Sequence, residues 1–84
     1  MNNITAFPSP TDGLLTVQID LENETPTQIH VHTLSGQIIK QLEDSEAAIG
    51  INQYQLDLSN YPIGIYLLSI RTNKGTMTQK IVKQ

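Results

Sequence analysis

Apolar and polar residues alternate at a period of two along most of this chain, and no other feature constrains its fold as strongly. Side chains two apart share a face only when the backbone is extended. "LTVQIDL" is the clearest run, with Leu15, Val17, Ile19 and Leu21 on one side and Thr16, Gln18 and Asp20 on the other. "QIHVHT" sets Ile29, Val31 and Thr33 against His30 and His32. "YQLDL" aligns Tyr54, Leu56 and Leu58, and "IYLLSI" aligns Tyr66, Leu68 and Ile70. "ITAF", "QIIKQL" and "TMTQKIVK" are shorter or less regular runs of the same kind. The helix-friendly "LEDSEAAIG" is too short and too acidic for more than a loop or a single turn, and Pro26 in "ENETPT" marks another loop.

The turns agree with this reading. Asp12-Gly13, Ser35-Gly36 and Asn73-Lys74-Gly75 each place a residue tolerant of positive φ between two strand-like runs. Frequent turns without a helix long enough to cross over describe an antiparallel all-β domain. Seven strands in 84 residues most economically form a two-sheet sandwich, with a small closed barrel as the alternative. The whole chain, residues 1–84, reads as one domain, and residues 1–3 read as a linker or an added start.

Composition narrows the function classes. The absence of cysteine removes disulfide and thiolate chemistry. No apolar run approaches the roughly 18 residues of a membrane span. "MNNITAFPSP" lacks a basic start and an apolar core, so the chain reads as a piece of a larger protein without an export signal at this end. All eight acidic side chains lie in residues 1–70, against one cation, Lys40. Residues 71–84 carry Arg71, Lys74, Lys80 and Lys83 and no acid. Such asymmetry suits either an interacting tail or a basic last strand paired with acidic neighbours. The acidic overall balance, with few aromatics, argues against nucleic acid.

One stretch, "LSNYPIGIYLLSI", residues 58–70, combines a turn and a strand. Pro62 and Gly64 suit the second and fourth positions of a type I turn over "YPIG". Tyr66 then enters a strand as an inward residue. In immunoglobulin-like sandwiches a Tyr so placed folds its hydroxyl back to an upstream backbone group. The stretch therefore reads as a scaffold corner.

A search for chemistry finds little. His30 and His32 share a strand face, but two ligands make a weak metal site and no third His or Cys exists. None of Ser9, Ser35, Ser45, Ser59 and Ser69 lies in a nucleophile elbow. Glu43, Asp44 and Glu46 read as ordinary solvated acids on an exposed loop. No Gly-rich phosphate loop or EF-hand pattern is present. Asn3-Ile4-Thr5 and Asn23-Glu24-Thr25 match the glycosylation acceptor pattern, which is short enough to arise by chance. The residues point to a non-catalytic module with no cofactor and no small-molecule substrate.

Taken in order, the motifs resemble the type A C-terminal sorting domains of the type IX (Por) secretion system of Bacteroidota. "FPSP", with Pro8 and Pro10, stands where the family shows an aromatic followed by Pro-Asn-Pro. Ser9 replaces the usual Asn, and both can cap a turn. "TDGLLTVQID", "IHVHTLSGQII" with Gly36, "LDLSNYPIGIYLLSI" with Gly64 and Tyr66, and "TNKGTMTQKIVKQ" with Gly75 follow in the family's order.

The resemblance implies a seven-stranded antiparallel immunoglobulin-like β-sandwich that acts as an address label and catalyses nothing. It implies a cargo domain fused ahead, and translocon, shuttle and sortase components as partners. It also implies passage through the periplasm to the outer-membrane surface or the medium, with removal by a sortase in many members. The family's C-terminal signal falls on Lys80, Ile81, Val82 and Lys83, where a charged face offered to an acidic receptor groove is the expectation. The competing class is an extracellular binding or adhesion module for carbohydrate or protein. Carbohydrate sites need exposed aromatic platforms, whereas this chain has Phe7, Tyr54, Tyr61 and Tyr66 and no Trp.

Overall fold

A computed structural model describes residues 3–8 and 10–84. Seven strands form, β1 (Asn3–Phe7), β2 (Leu14–Leu21), β3 (Thr25–Thr33), β4 (Ile38–Ala47), β5 (Gly50–Asp57), β6 (Gly64–Thr72) and β7 (Gly75–Lys83). One sheet has the order β1-β2-β5 and the other β4-β3-β6-β7, and every pairing between neighbouring strands is antiparallel. The molecule is thus a two-sheet, immunoglobulin-like sandwich and not a closed barrel.

The period of two decides which atoms meet between the sheets. Leu15, Val17, Ile19 and Leu21 of β2 and Leu56 of β5 face Ile29 and Val31 of β3, Tyr66, Leu68 and Ile70 of β6 and Ile81 of β7, all buried in one cluster. Each such side chain withdrawn from water contributes about 1.5–3 kcal/mol. That burial offsets the conformational entropy of ordering a chain without helices or disulfides.

Two segments differ from their sequence reading. "LEDSEA" belongs to β4 and is not a loop. Its helix-friendly residues are held extended by pairing with β3, from Thr25↔Ala47 to Ile29↔Leu42. Pro26 lies inside β3 and not in the preceding loop. The register shifts between Thr25 and Thr27, with the extra residue on β4, so Pro26 stands opposite a bulge, a place where a missing N–H is tolerated. At the other end of the chain, Asn3 already pairs with Asp20, so strand structure reaches into the stretch read as a linker.

Turn glycines serve local geometry. Gly36, at φ +98°, closes the β3–β4 turn by donating to the Thr33 carbonyl at 3.0 Å. Gly13 lies so close to Ser59 that a Cβ there would stand 3.0 Å from the Ser59 Cβ. The Leu58 N–H donates to the Gly13 carbonyl at 2.8 Å, joining the start of β2 to the chain leaving β5.

Two tyrosines stitch the sheets along one side. β5 is an edge of the three-stranded sheet and β4 an edge of the four-stranded one. The Tyr54 hydroxyl of β5 donates to Asp44 Oδ2 of β4 at 2.8 Å. Tyr61, between β5 and β6, donates to the Ile39 carbonyl at 2.9 Å, with Lys40 Nζ 5.8 Å from its ring centroid.

Candidate functional site

The C-terminal strand is where sequence and structure meet. β7 pairs with β6 through Gly64↔Lys83, Ile65↔Val82, Tyr66↔Ile81 and Leu67↔Lys80. Its far edge at this end is occupied by Thr11, whose N–H donates to the Val82 carbonyl and whose carbonyl accepts from the Gln84 N–H, both at 2.9 Å. Thr11 itself is fully buried. Its hydroxyl donates to the Leu14 carbonyl at 2.7 Å and accepts from the Gly13 N–H at 3.1 Å. The β1–β2 connection and the end of β7 are therefore fastened to each other.

Alternation divides the four residues on which the resemblance sets the signal. Ile81 is completely buried and Lys83 is 7 % exposed, both on the inner side of β7. Lys80 is exposed and Val82 half-buried on the outer side. Lys80 and Lys83 thus do not form one charged face, because residues three apart on a strand point in opposite directions. Neither lysine stands opposite an acid, since their cross-strand partners are Leu67 and Gly64. The basic last strand is not neutralised by acidic neighbours along that ladder.

Apart from Gly75, the remaining motif residues cluster at the same end of the molecule. Gly64 opens β6 opposite Lys83. The Tyr66 hydroxyl donates to the Pro62 carbonyl at 2.5 Å, four residues upstream. The hydrogen-bonded turn before it closes Leu58 to Tyr61, with Tyr61 N–H donating to the Leu58 carbonyl at 3.0 Å. That bond falls one turn earlier than "YPIG". Pro8 follows Phe7 through a cis peptide bond as the chain leaves β1. Pro10 is exposed just before Thr11. Ser9, between the two prolines, lies outside the described residues. Gly75 pairs with Thr72 across the tip of the β6–β7 hairpin, at the opposite end of the sandwich.

The histidines lie on the outer face of the four-stranded sheet, as does Ser69 opposite His30. His32 Nδ1 is 3.1 Å from the Thr33 carbonyl and Nε2 is 3.1 Å from Ser69 Oγ. A neutral His32 donating from Nδ1 leaves Nε2 to accept from the serine, so both ring nitrogens are engaged. Among the described residues no group of three His, Asp or Glu side chains could hold a metal ion. Glu43 and Glu46 remain exposed acids, but on a strand, and Asp44 is half-buried against Tyr54.

Sequence reading missed the apolar character of this outer face near β7. Ile65 is 43 % exposed and Ile38 50 %, with Leu67 and Val82 half-buried beside them. The signal was present in "GIYLLSI", where both parities are apolar: Tyr66 and Leu68 as well as Ile65 and Leu67.

No curated protein matches the chain. The model of the secretion system C-terminal sorting domain family matches residues 5–84. Domains of that family are C-terminal signals of type IX secretion, borne by a cargo protein and acting with the export system. With the match running from β1 through the clamp at Thr11 to the end of β7, the chain belongs to the secretion system C-terminal sorting domain family.

Proposed function

We propose that residues 1–84 form one non-catalytic sorting domain that directs an attached cargo protein across the outer membrane. The cargo reaches the periplasm by its own signal. The domain then engages the translocon and its shuttle, and the cargo ends at the cell surface or in the medium. Removal by a sortase accompanies surface attachment. The family match over residues 5–84 is the observation that supports this reading.

Within the signal, the residues divide into two tasks. Lys80 and Val82, on the outer side of β7, are the pair available to a receptor. Ile81 and Lys83, on the inner side, hold the strand in the sandwich. Gly36, Gly64, Tyr66, Gly75, Pro8 and Pro10 shape the scaffold around them. An extracellular binding module is the weaker reading: Tyr66 is buried, and the hydroxyls of Tyr54 and Tyr61 are spent on inter-sheet hydrogen bonds.

The test is a fusion of residues 1–84 to the C-terminus of a periplasm-exported fluorescent reporter in a host with a working type IX system. The expected result is reporter at the surface or in the medium, absent from a host lacking the translocon. Retention of a folded fusion in the periplasm overturns the sorting function. A surface reporter that keeps its C-terminal domain overturns sortase removal alone.

A further inference from the structure

The outer face of the four-stranded sheet changes character along its length. Across the strands the register aligns Glu43, Gln28, Arg71 and Thr76 in one row, all polar. The next row is Gln41, His30, Ser69 and Thr78. Then come Ile38, His32, Leu67 and Lys80, and finally Ile65 beside Val82. A sheet face turned to solvent ordinarily reads polar throughout. Here one end is apolar, and the adjoining β3–β4 turn adds Leu34 at 67 % exposure.

Nothing in the fold's own packing calls for this. The core cluster lies on the other side of the sheet, and Ile38, Ile65 and Leu67 take no part in it. Contiguous exposed apolar surface on a small domain marks an interaction site. The charge around it is one-signed. Lys80 is the charged residue in the two apolar rows, and Glu43 stands in the row farthest from them, with Gln28 between it and Arg71.

The position also suits a label carried by a cargo. β1 begins at Asn3 opposite Asp20, near the end of β2, whereas Thr11 and Lys83 meet near the start of β2. A polypeptide joined ahead of β1 therefore leaves from the pole opposite the apolar rows, along a molecule 35 Å in its longest extent.

We infer that Ile38, Ile65, Leu67 and Val82, with Lys80 at their border and Leu34 on the adjoining turn, form the docking surface for a protein of the export machinery. Its partner surface presents apolar side chains and a carboxylate that meets Lys80. This rests on the sorting function proposed above and names the face by which it acts. Burial of the aliphatic side chains supplies the attraction, and the lysine sets orientation and partner choice.

The test uses the same reporter fusion with two double substitutions on the one face, Ile38→Ser with Ile65→Ser, and Gln28→Ser with Thr76→Ser. The first pair is expected to lower the secreted fraction at least tenfold, and the second to leave it unchanged. Lys80→Glu should also lower it, with Lys80→Arg restoring it. Purified domains are melted in parallel. Should the double Ile variant fail to fold, Ile65→Thr alone, which keeps a β-branched strand residue, takes its place.

Unaltered secretion of a folded patch variant overturns the docking surface while leaving the sorting function intact. Retention of the unsubstituted fusion overturns both. Two further measurements examine other occupants of the face. A domain that dimerises in sedimentation unless Ile65 is changed makes a second copy the occupant and overturns the inference. Flotation with vesicles of phosphatidylethanolamine and phosphatidylglycerol, abolished by the same change, makes it a lipid surface and does likewise.

Discussion

Two phenols carry distinct tasks in this sandwich, and each can be isolated by removing one oxygen atom. Tyr66 buries its ring in the core and donates to the Pro62 carbonyl, pinning the corner where β6 begins. Tyr66→Phe keeps the ring and deletes the bond, so the loss should be about 0.5–1.5 kcal/mol. For a domain of this size that lowers Tm by roughly 4–8 °C per kcal/mol, measurable by circular dichroism. Tyr54 is different because its acceptor is a carboxylate. Burial, the hydrogen bond to Asp44 and the Asp44 charge together hold its phenol well above the ordinary tyrosine range. A raised folded-state value means that the stabilisation is complete below about pH 10, the unfolded value, and fades as pH rises beyond it. Tyr54→Phe should therefore be less stable than the parent at neutral pH, with the two melting curves converging at alkaline pH. A constant gap from pH 7 through pH 11 would show that the Tyr54–Asp44 bond does not hold the sheets together.

Strands differ in how openly the sequence declares them, and the reason is whether one face is wholly buried. β2 and β6 run through the middles of their sheets, and their inward positions Leu15, Val17, Ile19, Leu21, Tyr66, Leu68 and Ile70 are hydrophobic, with polar Thr72 coming only at the end of β6. β4 is an edge whose inward Asp44 accepts from the Glu46 N–H and from Tyr54 of the other sheet, a partner that no local pattern announces. Its residues Leu42 to Ala47 consequently look helical or loop-like until β3 pairs with them. Pro26 misleads for a related reason, since the bulge that accommodates it depends on the β3–β4 register. The run Lys80 to Lys83 was legible as part of a strand, but its division by face required the strand to be in place. That division makes a quantitative forecast. Ile81→Ala removes a fully buried side chain and should cost about 2–5 kcal/mol. Lys80→Ala, one residue away on the exposed side, should stay within about 0.5 kcal/mol of the parent. Urea midpoints of the two variants at equal m-values check both figures, and similar losses from the two would contradict the assigned faces.

The β2–β5 and β3–β6 pairings join strands that are not consecutive in sequence, and the most distant tie is Thr11 to Val82 and Gln84. The sandwich is consequently closed by the same residues to which we assign the sorting signal. Removing Lys80 to Gln84 would take Ile81 from the core, delete four cross-strand pairs with β6 and release both backbone bonds of Thr11. Domain averages put the stability of a chain this long at roughly 4–13 kcal/mol, and the loss of Ile81 alone accounts for about 2–5 of it. The truncated chain should therefore be unfolded, with its β-sheet circular dichroism and amide dispersion lost, whereas Lys80→Glu should retain both. Secretion of the two fusions then separates address from scaffold. Failure of both, with only Lys80→Glu folded, assigns recognition to the surface of a folded domain. Secretion of the unfolded truncation would instead mean that the machinery reads a linear segment elsewhere in the chain. A truncation that remains folded would show that Thr11 and Ile81 are not what closes the sandwich.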